Sequence, residues 1–181
     1  MFDLSAYALR FLEYLVIMVL FGVPLFGWYG SRRSALADAL AGWSLMGVLL
    51  AGAVAGLVLT GLDVVFKTAG IMGMPLAEVD RASLGWYLLE TSAGRAAMAR
   101  GALLVALMFV LGWHPRRGKV ETAFPLGAML AGGALASLAW SGHAAAGEGL
   151  AGAVRLAAGI VHLLAAGGWI AAVLMFLAML L

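Results

Sequence analysis

Ile160-Val-His162-Leu-Leu-Ala-Ala-Gly-Gly-Trp169-Ile-Ala-Ala-Val-Leu-Met-Phe-Leu-Ala-Met-Leu-Leu181 contains one polar side chain, His162, and otherwise only apolar residues and glycine. A run of about 20 apolar residues is long enough to cross about 30 Å of hydrocarbon as a helix. Strands of a membrane barrel would alternate in polarity over about 10 residues, and this run does not alternate. The segment therefore reads as a transmembrane helix, beginning near Val154 and continuing to Leu181.

Four further runs of the same kind lie upstream, at about Ala8 to Tyr29, Leu36 to Leu62, Ala97 to Trp113 and Thr122 to Ser141. The whole chain is 65% hydrophobic and 11% charged, against about 25% charged in a typical soluble domain. Backbone polar groups in lipid must be satisfied within the segment, which selects helices. These features predict an all-α, polytopic transmembrane helix bundle of about five spans, forming a single transmembrane domain over 1–181. Pro24 is expected to kink the first helix, and Gly47, Gly52 and Gly56 give the second small residues at helix-packing spacing.

Residues 63–93 carry Asp63, Lys67, Glu78, Asp80, Arg81 and Glu90 among Met72, Met74, Trp86 and Tyr87. That mixture predicts an outward-facing cap, with an amphipathic helix at about Leu76 to Thr91 lying at the membrane surface between helices 2 and 3. Arg32, Arg33, Arg116, Arg117 and Lys119 crowd into the two short loops after the first and third helices, where the positive-inside rule applies most cleanly. Those loops are expected to be cytoplasmic. The N-terminus, the 63–93 segment and the loop around His143 then face outward, toward the periplasm if the source is a Gram-negative bacterium, and the C-terminus inward. The N-terminal residues lack the basic region and cleavage site of a secretory signal, so the first span is expected to be retained.

The chain has no cysteine, which excludes disulfides, thiolate metal sites, iron–sulfur clusters and cysteine nucleophiles. Net charge is +2 with scattered basic residues, which argues against nucleic acid as a partner. No H-E-x-x-H motif or other compact set of three zinc ligands occurs, so hydrolytic chemistry is not expected and the protein reads as a non-enzyme. Lipid is the partner that composition demands, and oligomers are compatible with the glycine-rich helices.

Coordination chemistry concentrates in Trp140-Ser-Gly-His143-Ala-Ala-Ala-Gly-Glu148, followed by Arg155, His162 and Trp169. His143 follows the fourth helix. His162 lies about eight residues into the fifth, roughly 12 Å along its axis. Imidazole suits copper, zinc, iron and nickel, and an ionisable residue inside a membrane span is a functional candidate by default. A hairpin could bring the two rings together as ligands of one metal; the bland alternative is a hydrogen bond for His162 and an exposed loop position for His143. Glu148 could orient one imidazole or simply be a solvated charge. Met72 and Met74 read as apolar anchors of the 63–93 cap. A second constellation is Arg10, Glu13, Tyr14, Arg95 and Arg100, near one membrane boundary. Glu13 needs a cation, and Arg100 or Arg10 is the natural partner; the result is a structural ion pair or a proton relay. His114 reads as exposed.

Ser-Gly-His143-Ala-Ala followed by His162-Leu-Leu-Ala-Ala-Gly-Gly-Trp169-Ile resembles the copper-resistance D family of bacterial inner-membrane proteins. Met72-Gly-Met74 and Glu90-Thr91-Ser-Ala-Gly94-Arg95, followed by Arg100, match in order that family's Met–Gly and Thr–x–x–Gly–Arg elements. The chain departs from the pattern in having Ala171 where Trp–x–Gly is usual, and in lacking the further helices that usually follow, so it resembles a short or truncated form. The resemblance implies copper uptake or resistance, often beside a periplasmic copper carrier, with His143 and His162 as candidate ligands and Met72 and Met74 beside them. A b-type haem electron-transfer subunit, distinguished by a Soret band, and a purely structural or assembly subunit are the alternatives.

Overall fold

A computed structural model describes residues 2–30, 45–113, 120–142 and 147–180. The regular structure over these is all helix: α1 (Phe2–Gly30), α2 (Leu45–Met72), α3 (Arg81–Glu90), α4 (Ser92–Trp113), α5 (Val120–Ser137) and α6 (Gly149–Leu180). Short 3-10 turns lie at Leu76–Glu78 and Leu138–Ser141. Five of the helices are long and apolar enough to cross a membrane, and α3 is the short helix between the second and third spans. The all-α bundle expected from the apolar runs is the one observed.

α1 lies against α2, α5 and α6, and α4 closes the group by packing on α2 and α5. The shared core is Ile17 and Leu20 from α1, Leu49 and Ala53 from α2, Leu104, Leu107 and Leu111 from α4, with Ala131, Ala134 and Leu135 from α5. Large side chains on one helix meet alanine on the next, and that size complementarity is what draws helices together where lipid is as apolar as leucine. The α1–α6 crossing is close: a methyl at Gly22 would collide with the Ala171 Cβ and the Gly167 carbonyl. α1 runs unbroken through Pro24, because a proline within a packed span can have its freed carbonyl satisfied by neighbours.

The largest departure from the sequence reading is at the end of α2. The helix does not stop at Leu62 but continues for another ten residues to Met72, taking Asp63 and Lys67 with it. The first third of the 63–93 segment therefore belongs to the candidate span α2, and α3 lies in the remainder. Spaced four apart, Asp63 and Lys67 face the same side and neutralise each other, so the helix need not end where charges begin. Gly73 ends it instead, with φ +66° and the Met74 amide donating to the Ala69 carbonyl at 3.0 Å. That is the left-handed glycine closure of a helix C-terminus, and it gives Met72-Gly-Met74 its structural role.

α3 starts at Asp80, whose carboxylate accepts from the Ser83 amide at 2.8 Å and the Ser83 hydroxyl at 2.6 Å. It ends at Thr91, which forms the corner into α4. The Thr91 hydroxyl donates to the Tyr87 carbonyl at 2.7 Å and accepts from the Gly94 amide at 2.9 Å. Gly94 sits against the Tyr87 backbone so closely that no side chain fits, and Arg95 reaches back to the Leu89 carbonyl at 2.9 Å. The Thr–x–x–Gly–Arg element is thus a helix-to-helix corner. It seats Tyr87 in a small core with Val64 and Ala97, where burial pushes its hydroxyl up to about 12.

A candidate functional site inside the bundle

An Arg at the fully apolar core of a membrane protein needs a reason, and Arg100 is completely buried. Its place is set by α4, which turns Ala97, Arg100, Leu104 and Leu107 toward the bundle axis. Arg100 Nε lies 3.1 Å from Glu13 Oε1 and 3.2 Å from the Thr60 hydroxyl. Thr60 itself donates to Glu13 at 2.9 Å. Arg100 Nη1 lies 3.4 Å from the Ser137 hydroxyl, which donates to the Ala134 carbonyl at 2.7 Å. Four helices are therefore joined through one guanidinium: α1 by Glu13, α2 by Thr60, α4 by Arg100 and α5 by Ser137.

Asp63 extends the network one turn along α2. Its carboxylate pairs with the Lys67 ammonium, and Arg100 Nη2 stands 3.9 Å away without a hydrogen bond. The formal charges of Glu13, Asp63, Lys67 and Arg100 sum to zero, the condition under which buried ions are tolerable in apolar surroundings. Arg10 and Tyr14 lie toward the same end on α1. Arg10 donates to the Ser141 carbonyl at 2.9 Å, and Tyr14 to the Leu138 carbonyl at 3.4 Å. Together they tie α1 to the turn that leads into the Ser-Gly-His143 stretch.

The Glu13–Arg100 pair expected from the sequence is present, whereas Arg10 is engaged with a carbonyl and Arg95 with the α3–α4 corner. Asp63, Lys67, Thr60 and Ser137 were missed by sequence reasoning. The signal for the first two was their i, i+4 opposition on one helix face; two hydroxyls in apolar helices carried none.

The described candidate metal ligands sit at the end of α2, in the turn that follows it, and on α6. His143 falls outside the described residues. α6 begins at Gly149, earlier than the expected Val154, so His162 lies thirteen residues in, roughly 20 Å along the axis rather than 12. It is exposed on the outer side of α6, and Trp169, seven residues on and 71% exposed, shares that face. Glu148 is exposed. Met72 is exposed at the last turn of α2, while half-buried Met74 lines an open cleft of about 480 Å³ with Ala6, Phe66, Ala69, Gly70, Gly73 and Pro75. No cluster of three or more His, Asp or Glu residues able to hold a metal occurs among the described residues.

Comparison with known proteins gives these features a context. Residues 1–153 match the model of the family described as copper resistance protein D-like, N-terminal domain. The chain is 36% identical over 181 residues to copper resistance protein D of Pseudomonas syringae pv. tomato, covering 98% of this chain and 56% of that protein. The chain thus spans about half the length of the curated relative it matches. No solved structure matches it. A five-span helical bundle carrying the Met–Gly cap, the Thr–x–x–Gly–Arg corner and this level of identity along nearly its whole length belongs to the copper resistance protein D-like family.

Proposed function

We infer that the protein handles copper at a bacterial inner membrane, binding the ion on the side of the bundle that carries α3 and serving uptake or resistance. The observation that carries this reading is the 36% identity, over 98% of the chain, to a protein named for copper resistance. Copper is cargo here, and the residues that would meet it are His143, His162, Met72 and Met74. The Met74 thioether, a soft donor suited to Cu(I), lines the cleft between α1 and the end of α2 and is the best placed of the described candidates for first capture. Arg10 holds the Leu138–Ser141 turn, which precedes His143 in sequence. His162 presents from the outer side of α6 and, as a ligand, serves an ion held between α6 and whatever packs on that face. On this reading the α3 end faces the periplasm, where a copper carrier would deliver the ion.

The test is copper content. Purified chain in lipid nanodiscs is loaded with Cu(I) under a competing chelator, beside His143→Ala, His162→Ala and Met74→Leu variants. Loss of bound copper in the histidine variants, with weakened retention in Met74→Leu, is the expected result. Copper retained equally by all three, or by none including the parent, refutes the reading.

A further inference from the structure

The charges of Glu13, Asp63, Lys67 and Arg100 cancel among themselves, and Arg10 is a cation that this balance does not use. Its own helix offers Glu13 three residues on, but that carboxylate is turned inward to Thr60 and Arg100. Among the described side chains no carboxylate pairs with Arg10. The Ser141 carbonyl accepts from Arg10 Nη2 at 2.9 Å, and a guanidinium has further N–H donors to offer. Arg10 stands six residues into the span that begins at Leu4, roughly 9 Å along its axis. A cation at that depth needs an anion or contact with the headgroup layer.

Beside Arg10 lies a groove of about 430 Å³ between α1 and α6, and its lining changes along its length. Tyr7, Arg10 and Tyr14 line the end nearer the start of α1, and Leu15, Met18 and Ile170 line the rest. Tyr7 and Phe11 are exposed on its edge, so the groove opens on the outside of the bundle, where lipid stands. Tyr7 and Met18 are eleven residues apart, roughly 16 Å along the helix. That is half of a hydrocarbon layer about 30 Å thick. The groove therefore runs the depth of one leaflet, cationic and phenolic at the top and apolar below. Water suits the top and not the bottom. A neighbouring apolar helix would fill the bottom and bring no anion to the top. A phospholipid matches both ends. Its phosphodiester oxygens accept from the guanidinium fork, tyrosines sit at headgroup level, and an acyl chain covers the apolar stretch.

We propose that the α1–α6 groove binds one anionic phospholipid from the leaflet on the α3 side, with its phosphate on Arg10 and an acyl chain along Leu15, Met18 and Ile170. A zwitterionic lipid carries its own ammonium beside the phosphate, whereas phosphatidylglycerol leaves that negative charge for Arg10, so the site selects the anionic headgroup. The same guanidinium holds the Leu138–Ser141 turn, so the phosphate and the turn share one side chain.

The full chain, reconstituted in nanodiscs of phosphatidylcholine with a minor fraction of phosphatidylglycerol and released into mild detergent, is weighed by native mass spectrometry. The expected result is one phosphatidylglycerol retained per chain, enriched several-fold over its share of the bilayer. Arg10→Met abolishes that enrichment, and Arg10→Lys, which keeps the charge without the fork, retains part of it. Because Arg10→Met also releases the Ser141 carbonyl, Leu15→Trp serves as a second variant. It fills the apolar end from an exposed position, leaves Arg10 and its hydrogen bond in place, and loses the enrichment with helical circular dichroism unchanged. Retention of the two lipids in proportion to the bilayer overturns the proposal, as does an enrichment that survives in either Arg10→Met or Leu15→Trp. A lipid-free dimer in place of the lipid-bound chain also overturns it, and would assign the groove to a second copy.

Discussion

Replacing Arg100 by methionine should damage the fold far more than replacing Arg100 and Glu13 together. The single variant keeps the volume of the side chain but leaves Glu13 and Asp63 facing Lys67 alone, a formal charge of −1 in a region where Glu13 and Arg100 are almost wholly inaccessible. Stranding a buried charge costs about 3–5 kcal/mol, which at about 1.4 kcal/mol per tenfold is a loss of two to three or more orders of magnitude in the folded-to-unfolded ratio. The double variant Glu13→Leu, Arg100→Met returns the set to zero, because Asp63 and Lys67 still neutralise each other. Thr60 loses its acceptor at Glu13 but can turn its hydroxyl to a carbonyl of the preceding turn, and Ser137 keeps its bond to Ala134. Exchange of a buried ion pair for apolar groups of similar size is often neutral or stabilising, so most of the loss should be recovered. Unfolding by a denaturing detergent, followed by helical circular dichroism for the parent, both single variants and the double, gives the coupling energy. A double variant as unstable as Arg100→Met would show that the network is not balanced by charge, and would undo the reading of the bundle centre.

Two further outcomes follow from the local geometry. Asp80 is held below the usual carboxylate range by the hydroxyl and amide of Ser83, so its cap on α3 is complete above the ordinary aspartate value and is lost as pH falls through the lowered one. Protection of the Ser83 amide, measured against its intrinsic exchange rate at each pH, should fall over that acid window in the parent and be low throughout in Asp80→Ala; equal protection in acid and at neutrality would remove Asp80 as the cap. Gly22→Ala places a methyl against Ala171 and the Gly167 carbonyl, so the α1–α6 crossing must widen at a cost of about 1–3 kcal/mol. Thermal unfolding in detergent measures it, and an unchanged midpoint would mean that the helices are not in close contact there.

The five spans were legible because lipid imposes one rule on long apolar runs, and this chain obeys it. Their ends were less so. Reading Asp63 and Lys67 as signs of water shortened α2, since a pair that cancels itself across one helical turn looks like two surface charges in a linear string. The Glu13–Arg100 partnership could be foreseen from the need of a buried acid for a cation. The choice of Arg100 over Arg10 could not, because it depends on which way α4 turns. The placement of Thr60 and Ser137 was invisible for the same reason: a hydroxyl in an apolar helix acquires meaning only from what stands opposite. The depth of His162 was not legible because α6 starts at Gly149 rather than near Val154.

The network also bears on how the protein is made. Synthesis delivers Glu13 in the first helix, while its cation comes from α4, three helices later. Asp63 and Lys67 arrive together, already matched within α2. Until α4 is made, Glu13 lacks the cation it pairs with in the folded bundle, and a carboxyl in that position is tolerable in lipid only as the neutral acid. The pairing that neutralises the first helix is thus completed only by the fourth.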